Sequence, residues 1–210
     1  MTRRAAVVFD FGGVVFRWQP LSLLQQVLPA HAGDEESARA LAERIFQGFR
    51  VGSDWAAFDR GSVTPEDLAA RIAARTGLAA AEVRAVIDAV PPHLQAQPGT
   101  VELMRALRAA RHPLYYLSNM PAPYADHLER HHDFMAWFEA GLFSARVGLI
   151  KPEPAMFERA ERDFGIDPAR SVFIDDHPGN IEAARVAGWQ ALHFTSPEAC
   201  GVVLRARGWL

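Results

Sequence analysis

Three short apolar segments, residues 5–9, 113–117 and 171–174, each break off into polar residues and are followed by a helical pattern. Runs this short and this uniformly apolar suit strands buried on both faces, as in a parallel sheet covered by helices. Amphipathic stretches at 101–110, 154–164 and 180–187 provide the helices, with Gly165 and Gly188 as stops. The alternation predicts an α/β fold. We expect a doubly wound, Rossmann-like parallel sheet with right-handed crossovers, to which residues 189–194 add a further strand.

From about residue 21 to 90 the alternation stops, and consecutive helices are punctuated by Pro29, Gly33, Gly61, Pro65 and Gly77. Thr64-Pro65-Glu66-Asp67 reads as a helix start, with an N-cap threonine, proline in the first turn and acids facing the dipole. Pro91-Pro92 and Pro98-Gly99 mark the expected return to the sheet. The predicted division is a catalytic core of residues 1–17 and 93–210 with a small helical cap inserted at 18–92. A chain of 210 residues buries enough surface for that arrangement.

Composition narrows the partners. Lys and Arg are interspersed with acids and the net charge is −3, so no nucleic-acid footprint is expected. The first apolar run is too short to span a bilayer and ends at Asp10 with no cleavage signal, so we expect a cytoplasmic protein without a membrane role. The single cysteine, Cys200, lies in a C-terminal helical pattern and reads as structural. The expected state is a monomer or homodimer acting on a small molecule.

In open α/β sheets ligands bind beyond the carboxyl ends of the strands. Here the first strand ends in Asp10-Phe11-Gly12-Gly13, the second in Ser118-Asn119 and the third in Asp175-Asp176, while Lys151 precedes a helix and reaches toward the same edge. Several carboxylates gathered there raise one another's pKa unless a cation is present. Oxygen donors without His or Cys at ligand spacing favour Mg2+ over zinc. With a phosphate neutralised by such an ion and by Lys151, Asp10 is placed to attack phosphorus.

These segments carry a resemblance. The ordered set Asp10-Phe11-Gly12-Gly13-Val14, Leu117-Ser118-Asn119, Lys151-Pro152 and Phe173-Ile174-Asp175-Asp176 with the following Asn180-Ile181-Glu182-Ala183-Ala184 resembles the four motifs of the haloacid dehalogenase superfamily, subfamily I, and its sugar-phosphatase-like members. The likeness spans nearly the whole chain. It implies that Asp10 is nucleophile and metal ligand, that Ser118 and Asn119 bind phosphoryl oxygens, and that Lys151 balances charge. It also implies a direct magnesium contact for Asp176, a nearby or supporting one for Asp175, and a contact through the Gly12 carbonyl. The implied function is magnesium-dependent hydrolysis of a small phosphorylated metabolite, such as a sugar phosphate, through an aspartyl-phosphate.

One position departs. Phosphatases of this kind usually carry a second aspartate two residues after the nucleophile, as acid and base, where this chain has Gly12. A positioned general acid contributes on the order of 10²- to 10⁴-fold. Unless a water or a cap residue substitutes, leaving-group acidity should therefore matter more. Gly12 also suits a metal-free 2-haloacid dehalogenase, whose halide leaves unprotonated, or a non-catalytic regulatory protein on the same fold; the Asp175-Asp176 pair argues against the first. Ser118 has no local histidine to make it a nucleophile. His131-His132 beside Asp133 reads as a solvated helix end, and Trp18, Trp55 and Phe58 as the core of the cap or the lining of its pocket.

Overall fold

The computed structural model describes residues 5–210. Five short segments, Val7–Phe9 (β1), Leu114–Ser118 (β2), Ala140–Phe143 (β3), Val172–Asp175 (β4) and Gln190–His193 (β5), form one parallel sheet in the order β3-β2-β1-β4-β5. The fold is the doubly wound α/β class that the alternation predicts. Side chains along β1 alternate between the faces. Val7 and Phe9 pack with Met104, Leu107, Leu128 and Leu204, and Ala6 and Val8 with Met156, Phe157, Ile181 and Ala184.

Five helices lie between β1 and the return to the sheet: Pro20–Val27 (α1), Glu35–Phe46 (α2), Asp54–Asp59 (α3), Pro65–Thr76 (α4) and Ala80–His93 (α5). The rest flank the sheet: Pro98–Ala109 (α6), Ala122–His131 (α7), Ser144–Val147 (α8), Pro154–Phe164 (α9), Pro178–Val186 (α10) and Pro197–Ala206 (α11). Thr64 caps α4 as expected, its hydroxyl accepting from the Asp67 N–H at 3.1 Å. Cys200 is buried in α11. No helix among the described residues is long and apolar enough to cross a membrane.

Two features depart from the sequence expectation. Residues 140–143 form an edge strand that their brevity and Gly141 conceal; a Cβ on Gly141 would stand 2.2 Å from the Tyr116 ring, so this strand needs a glycine to lie against β2. Pro91 and Pro92 do not end the helix before them, since α5 runs on to His93. Pro91 has no N–H for the Ile87 carbonyl four residues back. That carbonyl accepts instead from the Tyr124 hydroxyl of α7 at 2.8 Å, which joins α5 to the core.

A second seam joins α3 to the core. The Ser144 hydroxyl donates to the Asp59 carbonyl and accepts from the Met120 N–H at 2.8 Å. Arg60 donates to the Gly148 carbonyl at 3.0 Å and pairs with Glu153. Gly61 follows at φ +77°, where a Cβ would meet the Ala145 carbonyl oxygen at 2.8 Å. A Gly61→Ala variant is therefore strained by backbone and neighbour together. We expect it to lose about 1–3 kcal/mol of stability, measured by denaturant unfolding, with the helical content of the folded protein unchanged.

Candidate active site

The sheet register lays Phe9 beside both Tyr116 and Ile174, so the carboxyl ends of β1, β2 and β4 align. Asp10, Ser118 and Asp175 come to one edge, as the strand-end rule predicts. Oxygens of Asp10, Asp175 and Asp176 lie within 4.8 Å of one another, the only such cluster among the described residues.

Lys151 joins this group from the loop before α9. Its buried Nζ stands 2.9 Å from Asp10 Oδ1 and 2.6 Å from Asp175 Oδ2. Burial alone would lower the pKa of this ammonium, but Asp10 and Asp175 outweigh it and hold it above the ordinary lysine value. Asp10 Oδ1 also accepts from the Phe11 N–H at 2.6 Å, which leaves Oδ2 without a partner among the described residues. Both oxygens of Asp175 are engaged: Oδ1 accepts from the His177 N–H at 2.7 Å, and Asn180 Nδ2 donates to both. Asp176 is more open, and a Cβ on Gly13 (φ +77°) would fall 2.2 Å from its Oδ2. Gly13 is thus the glycine that this turn requires.

Asn119 holds the backbone of Lys151 from both sides, Nδ2 donating to its carbonyl at 2.9 Å and Oδ1 accepting from its N–H at 2.8 Å. One amide hydrogen of Asn119 remains for a ligand. The Ser118 hydroxyl is buried and has no hydrogen-bond partner among the described residues. A buried polar group of that kind is free to take a hydrogen bond from a ligand or a water.

Above this floor lies a cavity of about 210 Å³, lined by Asp10, Gly12, Lys151 and Asp176 below and by Trp18, Phe49, Trp55, Leu94, Met120 and Tyr124 above. Two of the three aromatics that the sequence suggested for a pocket, Trp18 and Trp55, line it; Phe58 is core, edge-on to Tyr124 at 5.5 Å. His131 and His132 diverge as expected for neighbours on a helix end. His131 stacks on His127 at 4.1 Å, and His132 meets the Phe16 ring at 4.8 Å.

The sequence reading missed Asp59. This buried residue of α3 lines the cavity with Asp10 and Lys151, and its carboxyl has no hydrogen bond or ion pair among the described residues. It sits four residues after Trp55 on α3, a spacing that places both on one helix face and was the available signal. Burial first, and then the Asp10 charge, push its pKa up to about 8 against the pull of Lys151. Burial likewise raises Asp10 to about 7, with Asp175 and Asp176 adding to it and Lys151 opposing, and raises Asp176.

The raised value of Asp59 makes a stability prediction. Its neutral form is favoured in the fold, so its contribution is complete below the ordinary carboxyl pKa of 3.8 and declines as pH rises through about 8. Asp59→Asn removes the penalty of ionisation. In metal-free buffer the Tm of the variant relative to the natural protein should therefore rise between pH 5 and pH 9, and a flat difference would count against a neutral Asp59.

Fold and site together define a doubly wound α/β protein with a polar floor at the strand ends and helices α1–α5 above it. The model of the haloacid dehalogenase-like hydrolase family matches residues 5–188, and the chain belongs to that family. It is 27% identical over 201 residues to a sesquiterpene phosphatase of Aspergillus oryzae, covering 95% of this chain and 94% of that one. Among solved structures it resembles a haloacid dehalogenase family enzyme of Bacteroides thetaiotaomicron in complex with magnesium and inorganic phosphate, with TM-score 0.69 and 20% identity over 91% of this chain and 94% of the other. An L-2-haloacid dehalogenase from Xanthobacter autotrophicus carrying covalently bound chloropropionic acid has TM-score 0.68 and 19% identity, over 98% and 84%.

Proposed function

We propose that this hydrolase is a magnesium-dependent phosphatase that cleaves a small phosphomonoester through a phosphoryl group carried on Asp10. The observation that supports this most is the state of Asp10, whose Oδ1 is fixed by Phe11 and Lys151 while Oδ2 has no partner among the described residues. One oxygen is oriented and the other is left to attack. The unpartnered Ser118 hydroxyl and the remaining amide hydrogen of Asn119 hold the phosphoryl oxygens, and Lys151 balances the charge of carboxylate and phosphate. Residues 18–92 act as the cap over a core of 1–17 and 93–210.

The residues present fit a hard divalent cation. Asp10 and Asp176, both with raised pKa, crowd at an edge with one lysine to offset them, and the donors are all oxygen. Asp10, Asp176 and the Gly12 carbonyl would hold Mg2+, with the saturated Asp175 orienting Lys151 behind them. When bound, the ion neutralises phosphate and carboxylate charge that Lys151 alone leaves uncompensated.

The cavity walls favour an apolar organic group over a sugar. They are built mainly from aromatic and aliphatic side chains, and Phe49 is held at φ 54° on the rim although 39% exposed. A left-handed backbone is unfavourable for a bulky residue. That the full-length relative is a sesquiterpene phosphatase agrees with this reading.

The test is phosphate release from prenyl monophosphates, aryl phosphates and sugar phosphates, with magnesium or with chelator. Chelation should stop release, Asp10→Asn should abolish it in a folded protein, and Asp176→Ala should raise the magnesium requirement or abolish activity. Full turnover of a 2-haloacid in chelator would instead establish a dehalogenase. Removing about 1.4 kcal/mol of apolar contact changes binding about tenfold. Trp55→Ala should accordingly raise KM for a prenyl phosphate on the order of tenfold while leaving KM for acetyl phosphate nearly unchanged.

A further inference from the structure

The phosphatase reading leaves a chemical gap at Gly12, and Asp59 lines the same cavity with a carboxyl. We infer that Asp59, supplied by the cap, donates the proton to the leaving oxygen and later removes a proton from the attacking water. The inference rests on the phosphatase reading.

Asp59 lines the cavity together with Gly12 and the nucleophile Asp10, 49 positions away in sequence, and carries no hydrogen bond or ion pair from its carboxyl among the described residues. With 7% of the residue exposed, the Asp59 carboxyl is open to a ligand in the cavity rather than sealed in the core. It is also held in place. The Asp59 carbonyl accepts from the Ser144 hydroxyl, the next residue pairs through Arg60 with Glu153 and the Gly148 carbonyl, and Gly61 lets the chain approach Ala145. Ser144 in turn accepts from the Met120 N–H, two residues beyond Ser118. Asp59 and the loop after β2 are thus fixed to one hydroxyl.

The ionisation state agrees with the geometry. The charged or titratable groups that act on Asp59 are Asp10 and Lys151 from the core and Tyr124 from α7, with Arg60 and Glu153 paired to each other beside it. Burial, the largest influence, raises its pKa and so favours the protonated form that an acid requires. In the first step Asp10 Oδ2 forms a bond to phosphorus, the ester P–O bond breaks, and the leaving oxygen takes the proton of Asp59, giving an alcohol and an Asp59 carboxylate. In the second, water attacks phosphorus as that carboxylate takes one of its protons; the bond to Asp10 breaks, phosphate departs, and Asp10 and protonated Asp59 are restored.

The experiment compares kcat/KM for 4-nitrophenyl phosphate and a primary alkyl phosphate in the natural protein, in Asp59→Asn and in Asp59→Asn combined with Gly12→Asp, all with saturating magnesium. The loss of a general acid costs about 10²- to 10⁴-fold. We expect Asp59→Asn to lose about that much on the alkyl ester and less than about tenfold on the aryl ester, whose leaving group needs no proton. A burst of nitrophenol equal to the enzyme present should precede a slow steady state, because the base of the second step is gone. Gly12→Asp should recover much of the alkyl activity, since a Cβ at Gly12 meets nothing within 4 Å and its backbone lies outside the left-handed region.

Equal losses on the two esters, or none on either, would overturn the assignment. Should Asp59→Asn fail to fold, the natural protein decides alone. A shallow dependence on leaving-group pKa supports an acid, whereas aryl esters favoured over alkyl by more than about 10³-fold show that none is present. If the natural protein releases phosphate from neither ester, the phosphatase reading itself falls, and the role of Asp59 with it.

Discussion

The site depends on one buried ammonium. Lys151 is 3% exposed, between Asp10 and Asp175, and a charge removed from water to that degree is tolerated only when its partners are close and themselves held. Each partner is held. Phe11 fixes Asp10 through its backbone, His177 and Asn180 fix Asp175, Asn119 grips the main chain of Lys151 on both sides, and the Phe173 ring lies 5.3 Å from Nζ. The ends of β1, β2 and β4 and the start of α10 are thereby tied to a single cation.

The same arrangement is incomplete in charge. One lysine faces three carboxylates at the sheet edge, and the excess is visible in the raised pKa values of Asp10 and Asp176. Both oxygens of Asp175 already accept from donors, whereas Asp10 Oδ2 has no partner among the described residues and Asp176 is exposed. Like charges at this separation favour whatever cation reaches them. Lys151 alone does not balance the charge at this edge.

What the sequence showed and what it hid have the same cause. Asp10, Ser118, Asp175 and Asp176 were legible because each ends a strand of distinctive pattern, and parallel strands bring their ends together whatever lies between them. β3 was not, because an edge strand of four residues with two not fully buried lacks an apolar run, and its Gly141 serves contact with Tyr116 rather than a turn. α5 ran past Pro91 because a partner for the orphaned Ile87 carbonyl, Tyr124, comes from a distant part of the chain. Asp59 stayed hidden for a related reason. A helix of six residues does not reveal from its sequence which face turns toward the strand ends, although Trp55 and Asp59 at four-residue spacing mark the face that does.

The cavity therefore divides by origin. Its floor is drawn from strand ends and carries charge; its walls come chiefly from the helices between β1 and β2 and from α7 and are chiefly apolar. These two halves meet where Ser144 joins Asp59 to Met120 and where Tyr124 meets Ile87. Both contacts are hydrogen bonds between buried groups, which cost more to break than an exposed ion pair such as Arg84–Asp88. Anchored through them, α3 holds Trp55 and Asp59 on one helix face toward the cavity that Asp10 also lines.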